Sequence, residues 1–283
     1  MEVKTYFDQD TATFTHLVWD GSSKQAAIID PVLDFNYRSG RTGTSSADSV
    51  INDIKQLGLS LKYTLETHAH ADHLSSAPYL KEQCGGQTGI GAHVPIVQDT
   101  FKGVFNMADF PTDGSQFDLL LGEGDSLELG ELSIKVLETP GHTPACVSYQ
   151  IDDAIFIGDT FLAPSYGTAR ADFPGGDAST LYQSLERILS FPDETRLFLC
   201  HDYPEAGVAP QYVCTVADQR ENIHVQGSGA DDFIELRKAR DAQLEMPVLI
   251  LPAIQVNIRA GELPAPEDNG VAYLKIPLNQ IGK

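Results

Sequence analysis

Cysteine is scarce in this chain. The 283 residues include four cysteines, and no two of them form a C-x-x-C pair; they are Cys84, Cys146, Cys200 and Cys214. Thiols so few and so far apart are not typical of a disulfide framework or of a cysteine-rich zinc site. The sequence therefore predicts four reduced thiols in a cytoplasmic protein.

Basic residues are also scarce, at 19 Lys and Arg against 40 Asp and Glu, which gives a formal net charge of −21. Nucleic-acid binding requires Lys and Arg to neutralise phosphates, and docking on an anionic membrane surface requires a similar basic patch. The composition argues against both partners. The net charge does not by itself identify a substrate.

Long apolar runs are missing. No stretch of about 18 apolar residues is available to cross a membrane. Residues 1–10 lack the apolar core of a secretory signal and the Arg-rich pattern of a transit peptide, so we expect no leader. No repeat or linker interrupts the chain. We predict one domain over residues 1–283, with the chain after Pro247 packed on it as an irregular extension.

The sequence does contain a series of short apolar runs that stop at polar turns. Runs typical of strands occupy residues 26–29, 63–65, 132–137, 154–157 and 197–200. Helical spacing of apolar residues extends over 46–57 and 179–189, whereas the Ser-, Gly- and Thr-rich segment 35–46 is typical of a loop. Strands that alternate with helices indicate an α/β protein or a layered α+β sandwich.

The strongest chemical signal is an H-x-H-x-D-H cluster, because residues 68–73 read His-Ala-His-Ala-Asp-His. Three of the chain's eight histidines lie in these six positions, which composition alone makes improbable. The cluster follows a predicted strand. Imidazoles on a turn beyond a strand aim their lone pairs at one point, as a metal of borderline softness requires.

Three further potential ligands follow other predicted strands. His142 comes after a Pro-Gly turn, and Asp159 comes after a glycine. His201 directly follows the predicted strand 197–200. Each residue alone is explained as well by a polar group at a turn. Four strands that each end in a potential ligand are harder to explain by chance, because functional residues gather at strand ends in layered folds.

In this order of motifs the chain resembles the metallo-β-lactamase superfamily over roughly residues 10–205. The resemblance implies an α+β fold, namely an αββα sandwich with the metal at one edge between two sheets. It implies little about the reaction, because members of one fold family carry out unrelated chemistries.

Later segments narrow the resemblance. Residues 166–176, the surroundings of His201, and the segments 221–225 and 252–258 are similar to those of the persulfide dioxygenases, nearly end to end. No C-x4-R rhodanese loop is present, so we do not expect the form fused to a rhodanese domain. The resemblance implies oxidation of glutathione persulfide, or a related thiol persulfide, by O2 to sulfite and free thiol in hydrogen sulfide detoxification.

The same resemblance implies one non-haem Fe(II) per chain, held by His68, His142 and Asp159. Two histidines and one carboxylate leave iron positions open for substrate and O2. The other superfamily ligands would then support the iron ligands by hydrogen bonds; they are His70, Asp72, His73 and His201. In the alternative, a dizinc hydrolase of the hydroxyacylglutathione hydrolase or lactonase type, they hold a second zinc. A non-catalytic persulfide or metal sensor is a third hypothesis, which the intact ligand set disfavours.

The resemblance also places Arg170, Tyr203 and His201 at the catalytic site. Arg170 can bind a carboxylate of a thiol tripeptide in a bidentate manner, but an ion pair with Asp172 explains it nearly as well. The Tyr203 hydroxyl is expected to reach the sulfur or oxygen near the metal. The family further suggests a homodimer.

Other polar residues receive structural interpretations. We interpret three histidines as satisfied structural residues: His16, His93 and His224. Cys200 is expected to point away from the metal, into the core, because alternate strand residues face opposite sides. Asp30 either hydrogen-bonds toward the metal-bearing loop or caps a turn. Arg220 is expected in a surface salt bridge, and Cys214 in a helix.

Overall fold

The computed structural model describes residues 1–205, 207–227 and 229–282. In chain order the elements are β1 (Glu2–Asp8), β2 (Thr13–Trp19), β3 (Gln25–Ile29), β4 (Val32–Asn36), β5 (Arg41–Gly43), α1 (Ser45–Leu57), β6 (Ser60–Leu65), β7 (Leu74–Ser75), α2 (Ala77–Cys84), β8 (Gln87–Gly91), α3 (Val94–Val104), β9 (Leu119–Leu121), β10 (Ser126–Leu129), β11 (Leu132–Glu138), β12 (Val147–Ile151), β13 (Ala154–Phe156), α4 (Ala178–Leu189), β14 (Arg196–Phe198), β15 (Val213–Thr215), α5 (Val216–Arg220), α6 (Ala230–Asp241) and α7 (Ile250–Asn257).

The strands form two six-stranded sheets and one small sheet. The first sheet has the order β1-β2-β3-β6-β8-β9, the second β10-β11-β12-β13-β14-β15, and the small sheet β5-β4-β7. In the second sheet β12 is antiparallel to both β11 and β13, and β13 is parallel to β14. Strands β11, β13 and β14 therefore run in the same direction, and their carboxyl ends lie at one edge.

Alternating side chains of β3 show why the two large sheets stack. Ala27 and Ile29 lie in an apolar cluster with Tyr149 of the second sheet. Their neighbours Ala26 and Ile28 lie in a different cluster, with the apolar face of α1. Since successive strand residues point to opposite faces, one side of the first sheet packs on the second sheet and the other side packs on helices.

The outer face of the second sheet is covered by α4, whose residues Leu181, Leu185 and Ile188 form an apolar cluster with Ile155 of β13 and Leu197 of β14. Helices therefore cover both outer faces of the stacked sheets. This confirms the predicted α+β fold and its αββα order. The helices expected over 46–57 and 179–189 are α1 and α4, with nearly the same bounds.

The prediction of a loop over 35–46 was wrong, because this segment contains a β-hairpin. β4 continues to Asn36 and pairs with β5, and the first residues of β4 pair with β7, where Val32 lies opposite Ser75. The side-chain oxygen of Asn36 accepts hydrogen bonds from the backbone N–H groups of Arg38 and Ser39 in the turn. Strand β5 has three residues, which is too short to show the alternation of apolar residues that predicts a strand. The sheet that stabilises it also includes β7, which lies far away in the sequence.

The expectation of irregular structure after Pro247 was also wrong in part, because residues 250–257 form α7. Pro252 lies in the first turn of this helix, where a missing N–H disrupts no hydrogen bond. Ile254 packs with the cluster around α3, and Val256 packs with Leu74. Cys214 lies in β15 rather than in the helix that we expected, and α5 begins two residues later.

Candidate metal centre

The potential ligands lie where strands of both sheets end. The loop of residues 66–73 follows β6 of the first sheet, whereas His142, Asp159 and His201 follow β11, β13 and β14 of the second. Because these three strands share one direction, their carboxyl ends bring the three side chains to one edge. A backbone hydrogen bond of 2.9 Å from the Val147 N–H to the Thr67 carbonyl joins the loop to the second sheet.

Two histidines and one carboxylate form the first group at this edge. The Asp159 Oδ2 atom lies 3.8 Å from His68 Nε2 and 3.5 Å from His142 Nε2. Donor atoms of all three residues lie within 4.8 Å of one another. Both histidines are buried. The structure therefore brings together the three residues for which the resemblance implies iron binding.

The hydrogen bonds of the two histidines fix their tautomers. His142 donates from Nδ1 to the Arg170 carbonyl over 2.7 Å. The Thr67 hydroxyl donates to Asp30 Oδ2 over 2.9 Å, so its oxygen accepts from His68 Nδ1 at 3.0 Å. In both rings the proton is on Nδ1, and Nε2 carries a lone pair.

Two lone pairs therefore converge on a carboxylate with no proton between them. Burial, reinforced by the neighbouring histidines, lowers the pKa of His68 well below its ordinary value, which keeps the ring neutral. Such an arrangement is repulsive unless a cation lies between the donors. Two imidazole nitrogens and one carboxylate oxygen fit a divalent transition metal.

A second group of donors lies beside the first. Three buried ring nitrogens lack hydrogen-bond partners within the described residues; they are His70 Nδ1, His73 Nε2 and His201 Nε2. His73 donates from Nδ1 to the Leu74 carbonyl, which leaves its Nε2 lone pair free. Asp72 Oδ2 lies 3.0 Å from His201 Nε2. This group also fits a cation.

Asp159 connects the two groups, since its Oδ2 atom faces His142 and its Oδ1 atom lies 3.3 Å from His201 Nε2. His201 Nδ1 donates to the Ala12 carbonyl over 3.3 Å, so the Nε2 lone pair faces the carboxylate. The structure thus brings all seven potential metal ligands predicted from the sequence to one place. The geometry accommodates both the mononuclear and the dinuclear interpretation.

Asp30 supports the metal-bearing loop, which is the first of the two roles that we considered for it. Its Oδ1 atom accepts hydrogen bonds from the Thr67 N–H over 2.7 Å and from His70 Nε2 over 2.9 Å. Glu66 Oε2 lies 3.4 Å from the same His70 nitrogen. Burial alone would lower the pKa of His70, but the negative charges of Asp30 and Glu66 raise it well above its ordinary value. The hydrogen bond to Asp30 places one proton on Nε2. The raised pKa favours a second proton on Nδ1, the position that a bound cation would take instead.

The expectation that Cys200 points away from the site was wrong. Its Sγ atom lies 3.6 Å from Asp30 Oδ2, and strand β14 ends at Phe198, so strand alternation no longer applies at residue 200. Burial and the charge of Asp30 raise the pKa of the Cys200 thiol well above its ordinary value. The thiol stays protonated and is a weak metal ligand. All four cysteines are free, as predicted.

Sequence reasoning missed the contribution of α7 to the metal-bearing loop. The Asn257 amide donates to the carbonyls of His70 and His73 over 2.8 and 2.7 Å, and its oxygen accepts from the Ser75 N–H. An asparagine at a helix end gives no sequence signal for such a contact. The carboxy-terminal helix thus holds the loop from behind.

Gly158 has a structural reason to precede Asp159. Its φ angle is +51°, and a Cβ atom at this position would lie 2.6 Å from Thr67 Oγ1. Any side chain would therefore displace the hydroxyl that holds His68. Glycine allows the end of β13 to approach the metal-bearing loop closely.

A cavity of about 970 Å³ opens over His142, Asp159 and Asp72. Arg170 lines it, and its guanidinium forms a bidentate ion pair with Asp172 at 2.6 and 2.9 Å, as the structural interpretation predicted. The arginine carbonyl accepts the hydrogen bond of His142. Arg170 therefore orients a potential ligand through its backbone while its side chain lies in the cavity wall.

Tyr203 also lines the cavity. Its ring lies 4.8 Å from that of Tyr166 and 6.2 Å from that of His201. Partial burial and the carboxylates of Asp72 and Asp159 raise the pKa of the Tyr203 hydroxyl, which stays protonated and able to donate a hydrogen bond.

The remaining histidines lie in structural contacts, as expected. His16 donates from Nε2 to the Leu199 carbonyl over 2.9 Å, and His224 Nδ1 accepts from the Thr168 N–H over 2.9 Å. His93 lies 3.2 Å from a carboxylate oxygen of Glu138 and is half-exposed. A surface ion pair of 2.9 Å joins Arg220 to Asp193, again as predicted.

With this geometry established, comparison with known proteins decides the family. Residues 9–201 match the family model described as the metallo-beta-lactamase superfamily. The chain belongs to this superfamily. The solved structure of ETHE1 from Myxococcus xanthus is similar, with a TM-score of 0.76, 30% identity, and coverage of 93% of this chain and 100% of that one.

Superfamily relatives carry different names. A probable metallo-hydrolase of Burkholderia pseudomallei is 54% identical over 99% of this chain and all of its own length. A beta-lactamase hydrolase-like protein of Agrobacterium fabrum is 50% identical over 99% of the chain, which spans 65% of that longer protein. The mitochondrial persulfide dioxygenase ETHE1 of Mus musculus is 30% identical over 92% of this chain and 88% of its own.

None of the helices in the described ranges combines the length and apolar character that a membrane-spanning helix requires.

Proposed function

We propose that this protein is a persulfide dioxygenase that uses one non-haem Fe(II) per chain. In the proposed reaction glutathione persulfide, O2 and water give glutathione, sulfite and two protons. The outer sulfur loses four electrons and the S–S bond breaks, while O2 accepts the four electrons. The observation that carries the proposal is the pair of Nε2 lone pairs that face Asp159 from His68 and His142.

This donor set suits iron in a dioxygenase. Two histidines and one carboxylate on one side of a metal leave the other side open for substrate and O2. Bound iron would supply the one-electron steps that the reaction of O2 with a spin-paired thiol persulfide requires. The 30% identity to the mouse persulfide dioxygenase over 92% of this chain supports the same choice.

Residues around the donor set have defined tasks in this proposal. The protonated Tyr203 hydroxyl donates a hydrogen bond to the persulfide sulfur or to oxygen. His201 Nε2 lies 3.3 Å from the second oxygen of Asp159 and has no hydrogen-bond partner in the described residues, so it can accept a hydrogen bond from bound water or substrate. Arg170 orients His142 through its carbonyl and presents a guanidinium to the cavity. We further propose that the protein works in the cytoplasm, as a homodimer, without a nucleic-acid or membrane partner.

The proposal is tested by metal analysis after anaerobic purification, together with oxygen consumption on glutathione persulfide. We expect about one iron per chain and uptake of one O2 per sulfite formed. Zinc at two per chain with no oxygen uptake would refute the proposal. Free Fe(II) at the same concentration is the matched control for uncatalysed oxidation.

A dizinc hydrolase is the second candidate, and one observation favours it. His70 Nδ1, His73 Nε2 and His201 Nε2 are buried nitrogens without partners in the described part of the chain, which a second metal would satisfy. The name of the Burkholderia pseudomallei relative, a probable metallo-hydrolase, agrees with this candidate. The His201→Ala variant separates the two, since it should keep its iron in a mononuclear enzyme and lose half of its zinc in a dinuclear one.

A further inference from the structure

Arginines are concentrated around the cavity. The chain has 19 basic and 40 acidic residues, but the described lining of the cavity contains five arginines and five carboxylates. Two of these carboxylates belong to the metal groups, Asp72 and Asp159. The cavity therefore departs strongly from the acidic character of the chain. Arginines without a carboxylate partner in such a lining favour an anionic ligand.

The five arginines differ in their partners. Arg170 is held by Asp172, and the buried Arg237 is held by Asp241 in an ion pair of 2.6 Å. The other three have exposed side chains and form no ion pair within residues 1–205, 207–227 and 229–282; they are Arg38, Arg41 and Arg240. Arg38 donates from Nε to the Tyr37 hydroxyl, but no carboxylate in the described residues neutralises any of the three, so their charges remain available to a ligand.

These three arginines come from two different elements of the cavity lining. Arg38 and Arg41 belong to the β4–β5 hairpin, which contributes one wall. Arg240 lies near the end of α6, one helical turn beyond Arg237, and belongs to the wall formed by α6 and the segment after it. Three members of the metal groups, Asp72, His142 and Asp159, lie in the same lining, and so does Tyr203.

The size of the cavity suits a ligand larger than a sulfur anion. About 970 Å³ is at the upper end of the range for pockets that enclose small organic molecules, about 300 to 1,000 Å³. A thiol tripeptide with its sulfur at the metal would extend its two carboxylates toward the rim. Arg binds carboxylates through paired N–H groups, with a fixed geometry that Lys lacks.

Building on the proposed function, we infer that Arg38 and Arg41 bind one carboxylate of the thiol substrate and Arg240 binds the other. The three arginines make the enzyme specific for a thiol that carries two carboxylates. The β4–β5 hairpin is then a specificity-determining element, and the metal groups carry no part of this discrimination.

The test uses binding of glutathione to the iron-loaded protein under anaerobic conditions, measured by calorimetry, which requires no turnover. Wild type should bind glutathione at least about tenfold more tightly than glutathione with both carboxylates esterified. A charge-assisted hydrogen bond contributes about 1.5–3 kcal/mol, and 1.4 kcal/mol corresponds to tenfold. The double variant Arg38→Gln/Arg41→Gln should lose about tenfold in affinity for glutathione and none for the diester.

Two further variants complete the experiment. Arg240→Gln should also lose affinity for glutathione, while a monoester that lacks the carboxylate bound by Arg240 should show no further loss in this variant. Arg220→Gln is the matched control, because Arg220 is an exposed arginine paired with Asp193 and outside the cavity lining. It should bind glutathione as wild type does.

The outcomes distinguish this inference from the proposed function. Equal affinity of wild type for glutathione and its diester, absence of glutathione binding, or unchanged affinity in the hairpin variant would each overturn the inference. Oxygen uptake by wild type with an unchanged KM in the hairpin variant would refute the inference and leave the proposed function standing. Arginine-dependent glutathione binding without any oxygen uptake would refute only the proposed function.

Discussion

At the scale of single residues, hydrogen bonds at one ring nitrogen decide the chemistry of the other. His142 and His68 each carry a proton on Nδ1, because the acceptors are the Arg170 carbonyl and the Thr67 oxygen. Each Nε2 atom is therefore a lone-pair donor that faces Asp159. The sequence predicted these three residues, but the tautomers depend on contacts with distant parts of the chain.

We predict that Asp159→Ala loses most of its iron. Asp159 supplies the single carboxylate of the first donor group, and its removal leaves two neutral nitrogens that bind Fe(II) weakly. The measurement is iron per chain after anaerobic reconstitution and desalting. Asp153→Ala is the control, because Asp153 pairs with Arg196 on the surface and should leave iron content unchanged. Stoichiometric iron in Asp159→Ala would show that the assignment of the ligand is wrong.

At the scale of elements, strand direction assembles the site. β11, β13 and β14 share one direction, so the residues that follow them meet at one edge. Across that edge, β2 contacts the end of β14 through the hydrogen bond from His16 Nε2 to the Leu199 carbonyl. The His16 ring also lies 5.2 Å from the ring of Phe156 and 5.5 Å from that of Phe198. His16 thus joins the two large sheets.

This contact predicts a pH dependence of stability. Burial lowers the pKa of His16 to about 4, against an ordinary value of about 6.5. Between these values the unfolded chain binds a proton that the native state does not, so the free energy of unfolding falls as the pH drops through this interval. From pH 7.5 to 5.5 the loss attributable to His16 is about 1 kcal/mol.

Urea unfolding of metal-free wild type and His16→Gln at both pH values measures this loss. The variant should be less stable than wild type at pH 7.5, and its stability should fall by about 1 kcal/mol less on acidification. Metal removal from both proteins keeps the titration of the metal groups the same in each. An identical pH dependence in the two proteins would contradict the prediction.

At the scale of the whole molecule, the metal groups join the two sheets. His68 follows a strand of the first sheet, whereas His142 and Asp159 follow strands of the second. The donors are assembled only when the sheets are packed, so the native state binds metal and the unfolded chain does not. Metal binding is therefore coupled to the stability of the sandwich.

We predict that Fe(II) raises the stability of the metal-free protein under anaerobic conditions. At about one hundred times the dissociation constant the gain is about 2.7 kcal/mol, and it grows with the logarithm of free metal. Thermal unfolding across a series of Fe(II) concentrations measures it. Asp159→Ala should show little gain, and the surface variant Asp153→Ala should show the full gain. A midpoint that is independent of Fe(II) in wild type would contradict the prediction.

The sequence by itself determined the fold class and the residues at the strand ends, because apolar runs and the order of His and Asp motifs are local features. It did not determine the hairpin that carries Arg38 and Arg41, since β5 is three residues long and its sheet includes a distant strand. The sequence also did not predict where the Cys200 side chain points, because β14 ends before that residue and the alternation of strand side chains stops there.

Tertiary structure alone decided how the site is held and what surrounds it. Asn257 reaches the loop of His70 and His73 across more than 180 positions of sequence, and Asp30 reaches the same loop across about 40. Such contacts form only when the two sheets and α7 pack, so no local pattern in the chain encodes them. The sequence thus fixes which donors are available, while packing fixes where their lone pairs point and which arginines stay free.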